Sequence, residues 1–436
     1  MDIGLTTVLL FGSIFLLFVI GCPISFSLII VSLVFGAFLW GPSHLYMLAS
    51  SLYGATTSQI LMAIPLFILM GNVLATTGLA RDMFQALYYW SGPVRGGLAM
   101  GTVAICAVFA AMCGTSTAAT ITMGTIALPA MRDHAYNKEL SIGSVAAGGL
   151  LGILIPPSVI AIIYASSAGL SVGQLYFGIF IPGFLLAFLY IAYIGLRAWW
   201  QPGWAPSIPK AERPSWSKKF RSLKGVVLPL VIVAAVLGGI YSGIITPTEA
   251  AGVGALCVIL AAALTRSLTW TNLTQALRRT LELTSMVVWL IMGVTVFTNV
   301  YNALGAPEII QRLVELLPVS GFGVIILMQL SIFILGMIMD DIAIILLCTP
   351  IFLPIVQSLG YDTLWFGVLF MVNIQLAWLS PPYGFNLFYM RAITPADVSM
   401  MDIYRSVLPF LALQMLCLIL VMLIPALATW LPGRLV

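Results

Sequence analysis

Apolar runs follow one another along the whole chain, and polar residues gather in the short gaps between them. A helix needs about 20 apolar residues to cross a hydrocarbon core of about 30 Å, and on that criterion about eleven to thirteen crossings are predicted. Uninterrupted runs such as Val226 to Ile240 exclude a β-barrel, whose strands alternate at every second residue. The expected fold class is an all-α polytopic membrane protein. The first run, Ile3 to Ile20, follows only Met1 and Asp2, so a retained helix is expected rather than a signal peptide with a basic start. Gly21-Cys22-Pro23 then breaks the chain before the next run, which ends at Trp40.

One run departs from this pattern. Met112 to Met131 reads MCGTSTAATITMGTIALPAM, apolar enough for a bilayer yet bearing six hydroxyls (Thr115, Ser116, Thr117, Thr120, Thr122, Thr125), with Gly114 before the densest cluster. A hydroxyl in hydrocarbon needs a partner. The segment is expected to break its helix, and broken helices at membrane depth offer carbonyls and amide ends to ions and anionic substrates. Taken alone, it also suits a small-residue packing face between helices.

A second copy favours the broken helix. Met337 to Val356 reads MIMDDIAIILLCTPIFLPIV, and at a fixed offset of 225 residues Met112 falls on Met337, Ile126 on Ile351 and Leu128-Pro129 on Leu353-Pro354. The register holds beyond the next loop, where Pro156-Pro157 falls on Pro381-Pro382 and Tyr164 on Tyr389. Corresponding interruptions in two halves of a membrane protein point to a site between internal repeats. The expected organisation is a first repeat over 1–196, with a hairpin at about 102–130 and a broken helix at about 141–165. A linker over 197–224 then leads to a second repeat over 225–436, with a hairpin at about 325–356 and a broken helix at about 364–391.

Composition agrees with the membrane class: 61% of the 436 residues are hydrophobic and 7% charged, against about a quarter charged in soluble domains. Seven of the eighteen Lys and Arg residues (Arg197, Lys210, Arg213, Lys218, Lys219, Arg221, Lys224) crowd into the linker, where Glu212 is the only acid. That bias places the linker in the cytoplasm. Its Trp216 to Lys224 end reads as an amphipathic helix on the inner interface, with Lys219 or Arg221 near anionic lipid. An odd number of crossings in each half inverts the halves and puts both termini outside, which Asp2 without a basic neighbour fits. A net charge of +4 is explained by topology, and nucleic-acid binding is not expected.

Enzyme chemistry finds little support. The six cysteines form no C-x-x-C pair, and His44 and His134 are the only histidines, too few for a His-rich metal site. Dinucleotide and P-loop fingerprints are absent. Thr246-Pro247-Thr248-Glu249 suits a helix start, with Thr246 as cap and Glu249 in the first turn, and Arg278, Arg279 and Glu282 mark a membrane interface. The sharpest feature is Asp340-Asp341, which falls opposite Thr115-Ser116 in the repeat register. Buried carboxylates in an apolar segment cost several kcal/mol unless paired, hydrated or bound to a cation, and a hard cation takes hydroxyl, carboxylate and carbonyl oxygens together. Capping of a half-helix and ion coordination both stay open for these acids, and are compatible. Each Pro-Pro pair forces a break that releases carbonyls. The polar groups nearby are Ser158 and Tyr164 in the first repeat and Ser380, Tyr383, Asn386, Tyr389 and Arg391 in the second. Arg391 suits a substrate carboxylate or an anchor at the interface.

The segments GTSTAATITMGTIALPAM, GILIPPSVIAIIYA, TPTEAA (Thr246 to Ala251) and MDDIAIILLCTPIFLPI together resemble the large membrane (M) subunit of tripartite ATP-independent periplasmic (TRAP) transporters, over essentially the full chain. The resemblance implies inverted-topology repeats with re-entrant hairpins, and an elevator-type transport domain set in a scaffold. It further implies a sodium-coupled importer of a small organic acid, such as a C4-dicarboxylate or sialic acid, in a bacterial inner membrane. Its implied partners are a small membrane (Q) subunit and a periplasmic substrate-binding (P) protein. Sodium ions are expected and an organic cofactor is not. Carried over by position, the sodium candidates are Gly114, Thr115, Ser116, Pro156, Asp340, Asp341, Ser380 and Gly384, partly through backbone carbonyls. The substrate candidates are Ser116, Thr117, Ser158, Tyr383, Asn386 and Arg391. Two other readings are an autonomous sodium and carboxylate symporter, and a membrane assembly component whose polar hairpins only pack helices.

Overall fold

The computed structural model describes residues 3–435 apart from 42, 210, 211 and 317, and every regular element among them is a helix. Asp2 and the His44 side chain lie outside the described residues. Seven helices are long and apolar enough to cross a membrane, or eight if Leu48–Thr56 and Ile60–Thr76, bent by 52°, count as one span. Five further apolar helices of 10–17 residues, Ile3–Val19 and Ile24–Trp40 among them, fall short of that length, which is why the count stays below eleven to thirteen.

The offset of 225 residues governs the architecture as well as the sequence. The first hairpin joins Gly97–Cys113 to Ser116–Asp133, and the second joins Gly321–Ile338 to Asp341–Ser358. Lys138–Leu150 and Val159–Ala168 form the first broken helix, matched by Thr363–Leu379 and Phe385–Ile393. Both Pro156-Pro157 and Pro381-Pro382 are cis. Each half closes with a long helix, Val172–Trp200 in one and Met400–Leu423 in the other. Each opens with a pair of spans, Ile3–Val19 and Ile24–Trp40 against Lys224–Tyr241 and Pro247–Leu264. The expected cap is present at the last of these: Thr246 N–H donates to Glu249 at 2.8 Å, and Glu249 N–H donates to the Thr246 hydroxyl at 3.2 Å.

The hairpins enter from opposite faces. At the base of the first, Gly96 N–H donates to Ala205 O and Asn137 N–H to Trp204 O, 2.9 and 2.7 Å, so that base lies on the linker side. The C-terminal helix starts on the same side, where Lys138 meets Asp402 at 2.8 Å. At its other end Val421 O accepts from the Trp365 indole at 2.9 Å, which puts the base of the second hairpin on the far face. The repeats are therefore inverted.

Hairpins, broken helices and closing helices form one packed group, and the opening spans with Ala63–Thr76 and the long helix Trp270–Ala303 form another. Small residues let backbones meet within and between them. A Cβ on Gly71 would lie 2.7 Å from Cys113 O, and one on Gly149 would lie 2.0 Å from Thr120 Oγ1 and 2.7 Å from Thr120 Cα. Gly149→Ala is therefore expected to destabilise the protein by about 1–3 kcal/mol, the usual cost of overpacking, whereas Gly12→Ala, in a helix interior with nothing within 4 Å, is expected to cause no loss of stability. Melting temperatures of the purified variants in detergent check this.

Candidate functional site

The first hairpin turns at Gly114, whose φ of +62° closes the first arm through an N–H bond to Ala110 O. Glycine reaches this left-handed geometry without steric cost. Thr115 is extended and makes no side-chain cap, so Ser116 opens the return arm with its first amides uncapped by Thr115. The turn docks into the first break: Val159 N–H donates to Gly114 O at 3.1 Å. Ser158, fully buried, caps the helix beyond by accepting from Ala161 N–H at 3.4 Å.

The second hairpin reaches the same point without glycine. Met339 and Asp340 are both extended, and Asp340 is the helix cap, its carboxylate accepting from Ile342 N–H at 3.2 Å. Asp341 opens the helix and is 5% exposed, one oxygen accepting from the same amide at 2.9 Å. Capping thus belongs to Asp340. The two adjoining carboxylates meet no Lys or Arg among the described residues, and adjacent buried charges of one sign are relieved by a proton or by a bound cation.

Both tips line one cavity of about 410 Å³, between the hairpin group and the long helix Trp270–Ala303. Thr115, Ser116, Thr117 and Thr122 present oxygens from the first hairpin, and Asp340 and Asp341 from the second. Trp378 and Tyr389 come from the second broken helix, Val159 and Ile160 from the first. The opposite wall is Asn72, Arg279 and Glu282. Hydroxyl and carboxylate oxygens of this kind suit a hard cation such as sodium; among the described residues no three His, Cys, Asp or Glu side chains cluster in the manner of a transition-metal site.

Five of the sequence candidates, Thr115, Ser116, Thr117, Asp340 and Asp341, therefore share one cavity. Gly114, Pro156, Ser158, Ser380 and Gly384 stand behind its wall. Ser380 hydroxyl donates to Leu376 O at 2.8 Å, and a Cβ on Gly384 would lie 2.5 Å from Trp378 O, so these two fix the second break. Asn386 is buried and ties the two broken helices together through Ala146 O at 2.8 Å. Tyr383, 61% exposed, is not among the lining residues, and Arg391 donates at 3.4 Å to Pro395 O on the surface.

Arg279, Asn72 and Trp378 were not legible as site residues. Arg279 reads as an interface marker, yet it faces the cavity with no ion pair among the described residues, while Glu282 is held by Arg278 at 3.1 Å. Among the described residues it is the sole guanidinium on the wall. The Trp378 indole N–H is buried without a hydrogen-bond partner among the described residues.

Two other cavities frame this one. A larger one of about 610 Å³ sits at the base of the first hairpin beside Arg132, Lys138 and Asp397, and touches neither tip. A polar cleft of about 350 Å³ runs along Ser166, Ser167, Thr298 and Asn299 to Leu346 and Pro350 of the second hairpin.

The sequence matches the family model described as "Tripartite ATP-independent periplasmic transporter, DctM component" over residues 11–427. It is 33% identical over 396 residues to the C4-dicarboxylate TRAP transporter large permease protein DctM of Pseudomonas aeruginosa, covering 91% of each chain. With the sialic acid TRAP transporter large permease protein SiaM of Vibrio cholerae it shares 30% identity, covering 97% of each. Among solved structures it resembles the YdaH transporter of Alcanivorax borkumensis, with a TM-score of 0.64 at 13% identity, covering 96% of this chain and 98% of that one. The last similarity concerns the fold alone.

The geometry sets an accessibility order. With the six native cysteines replaced, a cysteine at Thr117 is expected to react with a charged maleimide and one at Ser158, fully buried, to stay unlabelled. Equal labelling would contradict the burial of Ser158 behind the cavity wall.

Proposed function

The chain belongs to the tripartite ATP-independent periplasmic transporter family, as its DctM component, and from that membership we propose that it carries a small organic acid across the membrane together with sodium ions. The acid, a C4-dicarboxylate, sialic acid or similar carboxylate, is delivered by a periplasmic binding protein. A small membrane subunit completes the complex in the bacterial inner membrane, with the basic linker on the cytoplasmic face. The chain is a permease subunit and not an enzyme.

The observation that carries this reading is the meeting of both hairpin tips in one cavity, hydroxyls from one side and paired carboxylates from the other. Sodium among these oxygens neutralises Asp340 and Asp341, and only then does an anionic substrate stand beside them at low cost. Coupling follows from that order: substrate affinity depends on the ions, and reciprocally. Arg279 supplies the one unpaired cation on the wall and draws the carboxylate toward the mouth of the cavity.

Alternating access rests on the two groups of helices. The hairpins, broken helices and closing helices form the moving transport domain, and the opening spans with the long helix form the scaffold. The seam is lined by small groups such as Gly71 against Cys113, which lets one surface slide on the other. The tip cavity and the cleft along Asn299 and Pro350 are the two approaches, used in turn, in an elevator-type movement.

The test is uptake by proteoliposomes containing this chain, its small membrane subunit and the binding protein. Uptake is expected to require sodium and the binding protein, and persistence without either would overturn the proposal. Asp341→Asn keeps the cap at Asp340, so the fold is retained while sodium half-saturation rises at least about tenfold, or about 1.4 kcal/mol. Arg279→Gln is expected to raise the KM for the anion several-fold with little change in kcat, and Arg279→Lys to restore most of it.

A further inference from the structure

The linker helix Trp216–Ser222 is pinned by one face and open on the other. Trp90, from the interfacial helix Leu79–Ser91, donates its indole N–H to Lys219 O at 3.1 Å and meets the edges of Trp216 and Phe220, with ring centroids 6.3 and 5.6 Å away. The Lys219 ammonium lies 5.0 Å from the Trp216 ring centre and 5.8 Å from that of Trp90. This aromatic cluster, directly before the span that starts at Lys224, marks headgroup depth.

The other face opens on a polar cleft of about 380 Å³ lined by Lys218, Arg221, Ser222, Asp82, Gln85 and Tyr89. Its floor is closed by the approach of Gly225 to Asp82, where an added Cβ would lie 2.9 Å from Asp82 Cβ. Two cations and one carboxylate share the cleft, yet no ion pair joins them or ties any of the three elsewhere among the described residues. Gln85 donates to the Tyr89 oxygen at 3.1 Å, which leaves the phenol proton free for another acceptor.

We propose that this cleft binds the headgroup of phosphatidylethanolamine, its phosphate between Lys218 and Arg221 and its primary ammonium on Asp82. A zwitterion satisfies both signs of charge at once. A purely anionic headgroup such as phosphatidylglycerol meets Asp82 as a like charge, and the quaternary amine of phosphatidylcholine has no N–H to donate. The membrane supplies the occupant at the depth where the aromatic cluster holds the helix. The site stands between Leu79–Ser91, the linker helix and the start of Lys224–Tyr241, and shares no lining residue with the tip cavity.

Native mass spectrometry of the full chain, released from nanodiscs of equimolar phosphatidylethanolamine, phosphatidylglycerol and phosphatidylcholine, tests this. Retained phosphatidylethanolamine is expected to exceed either other lipid about fivefold, the scale of one basic residue at a membrane surface. Lys218→Gln with Arg221→Gln is expected to remove that retention, and Asp82→Asn to let phosphatidylglycerol bind as well as phosphatidylethanolamine. The side chains exchanged are exposed, so the fold is kept. Unchanged lipid ratios in Asp82→Asn, full retention in the double variant, or displacement of the lipid by millimolar inorganic phosphate would each overturn the assignment.

Discussion

An amide or carbonyl left without a partner in hydrocarbon costs several kcal/mol, and this chain interrupts its helices at two hairpin tips and two Pro-Pro breaks. The interruptions survive because they are brought to one another. The Gly114 carbonyl takes the Val159 amide, Asp340 and Asp341 take the Ile342 amide, and Asn386 bridges the two broken helices through Ala146. What remains unpaired is oxygen-rich and shared by both tips. The hairpin group is arranged around that remainder.

Duplication supplied the architecture and divergence supplied the chemistry. At matching positions the first half has Gly114-Thr115-Ser116 and the second Met339-Asp340-Asp341. One tip turns through a left-handed glycine and offers hydroxyls; the other runs extended and offers carboxylates. Two copies of either tip would give a poorer cage, with no charge to hold a cation in one case and four crowded acids in the other. The Pro-Pro breaks kept their geometry in both halves.

The interrupted segments were legible because breaks at membrane depth leave residue types that uninterrupted helices avoid: clustered hydroxyls, paired acids, paired prolines. Hairpin and broken-helix positions followed from the single offset, and the Thr246 cap from local chemistry. The opposite wall was not legible. Asn72 is a single amide in the apolar helix Ala63–Thr76, and Arg279 stands in a 34-residue helix where a charge near one end reads as an interface marker. Only tertiary packing turns them toward the tips. Tyr383 and Arg391 show the converse, since proximity in sequence to a break does not decide which way a side chain is presented. The crossing count differs for a related reason: hydropathy does not say how much of an apolar run stays in one helix, and five apolar helices here have only 10–17 residues.

If the shared oxygens form an ion site, the ion holds the two hairpins together and must stabilise the fold by binding it in preference to the unfolded chain. The most direct measurement is the melting temperature of the purified protein in sodium chloride against choline chloride at equal ionic strength, for the native sequence and for Asp341→Asn. A sodium-specific rise in the native protein, absent in Asp341→Asn, is the expected result. The same rise in both, or no difference between the two salts in the native protein, would contradict a cation site at the meeting of the tips.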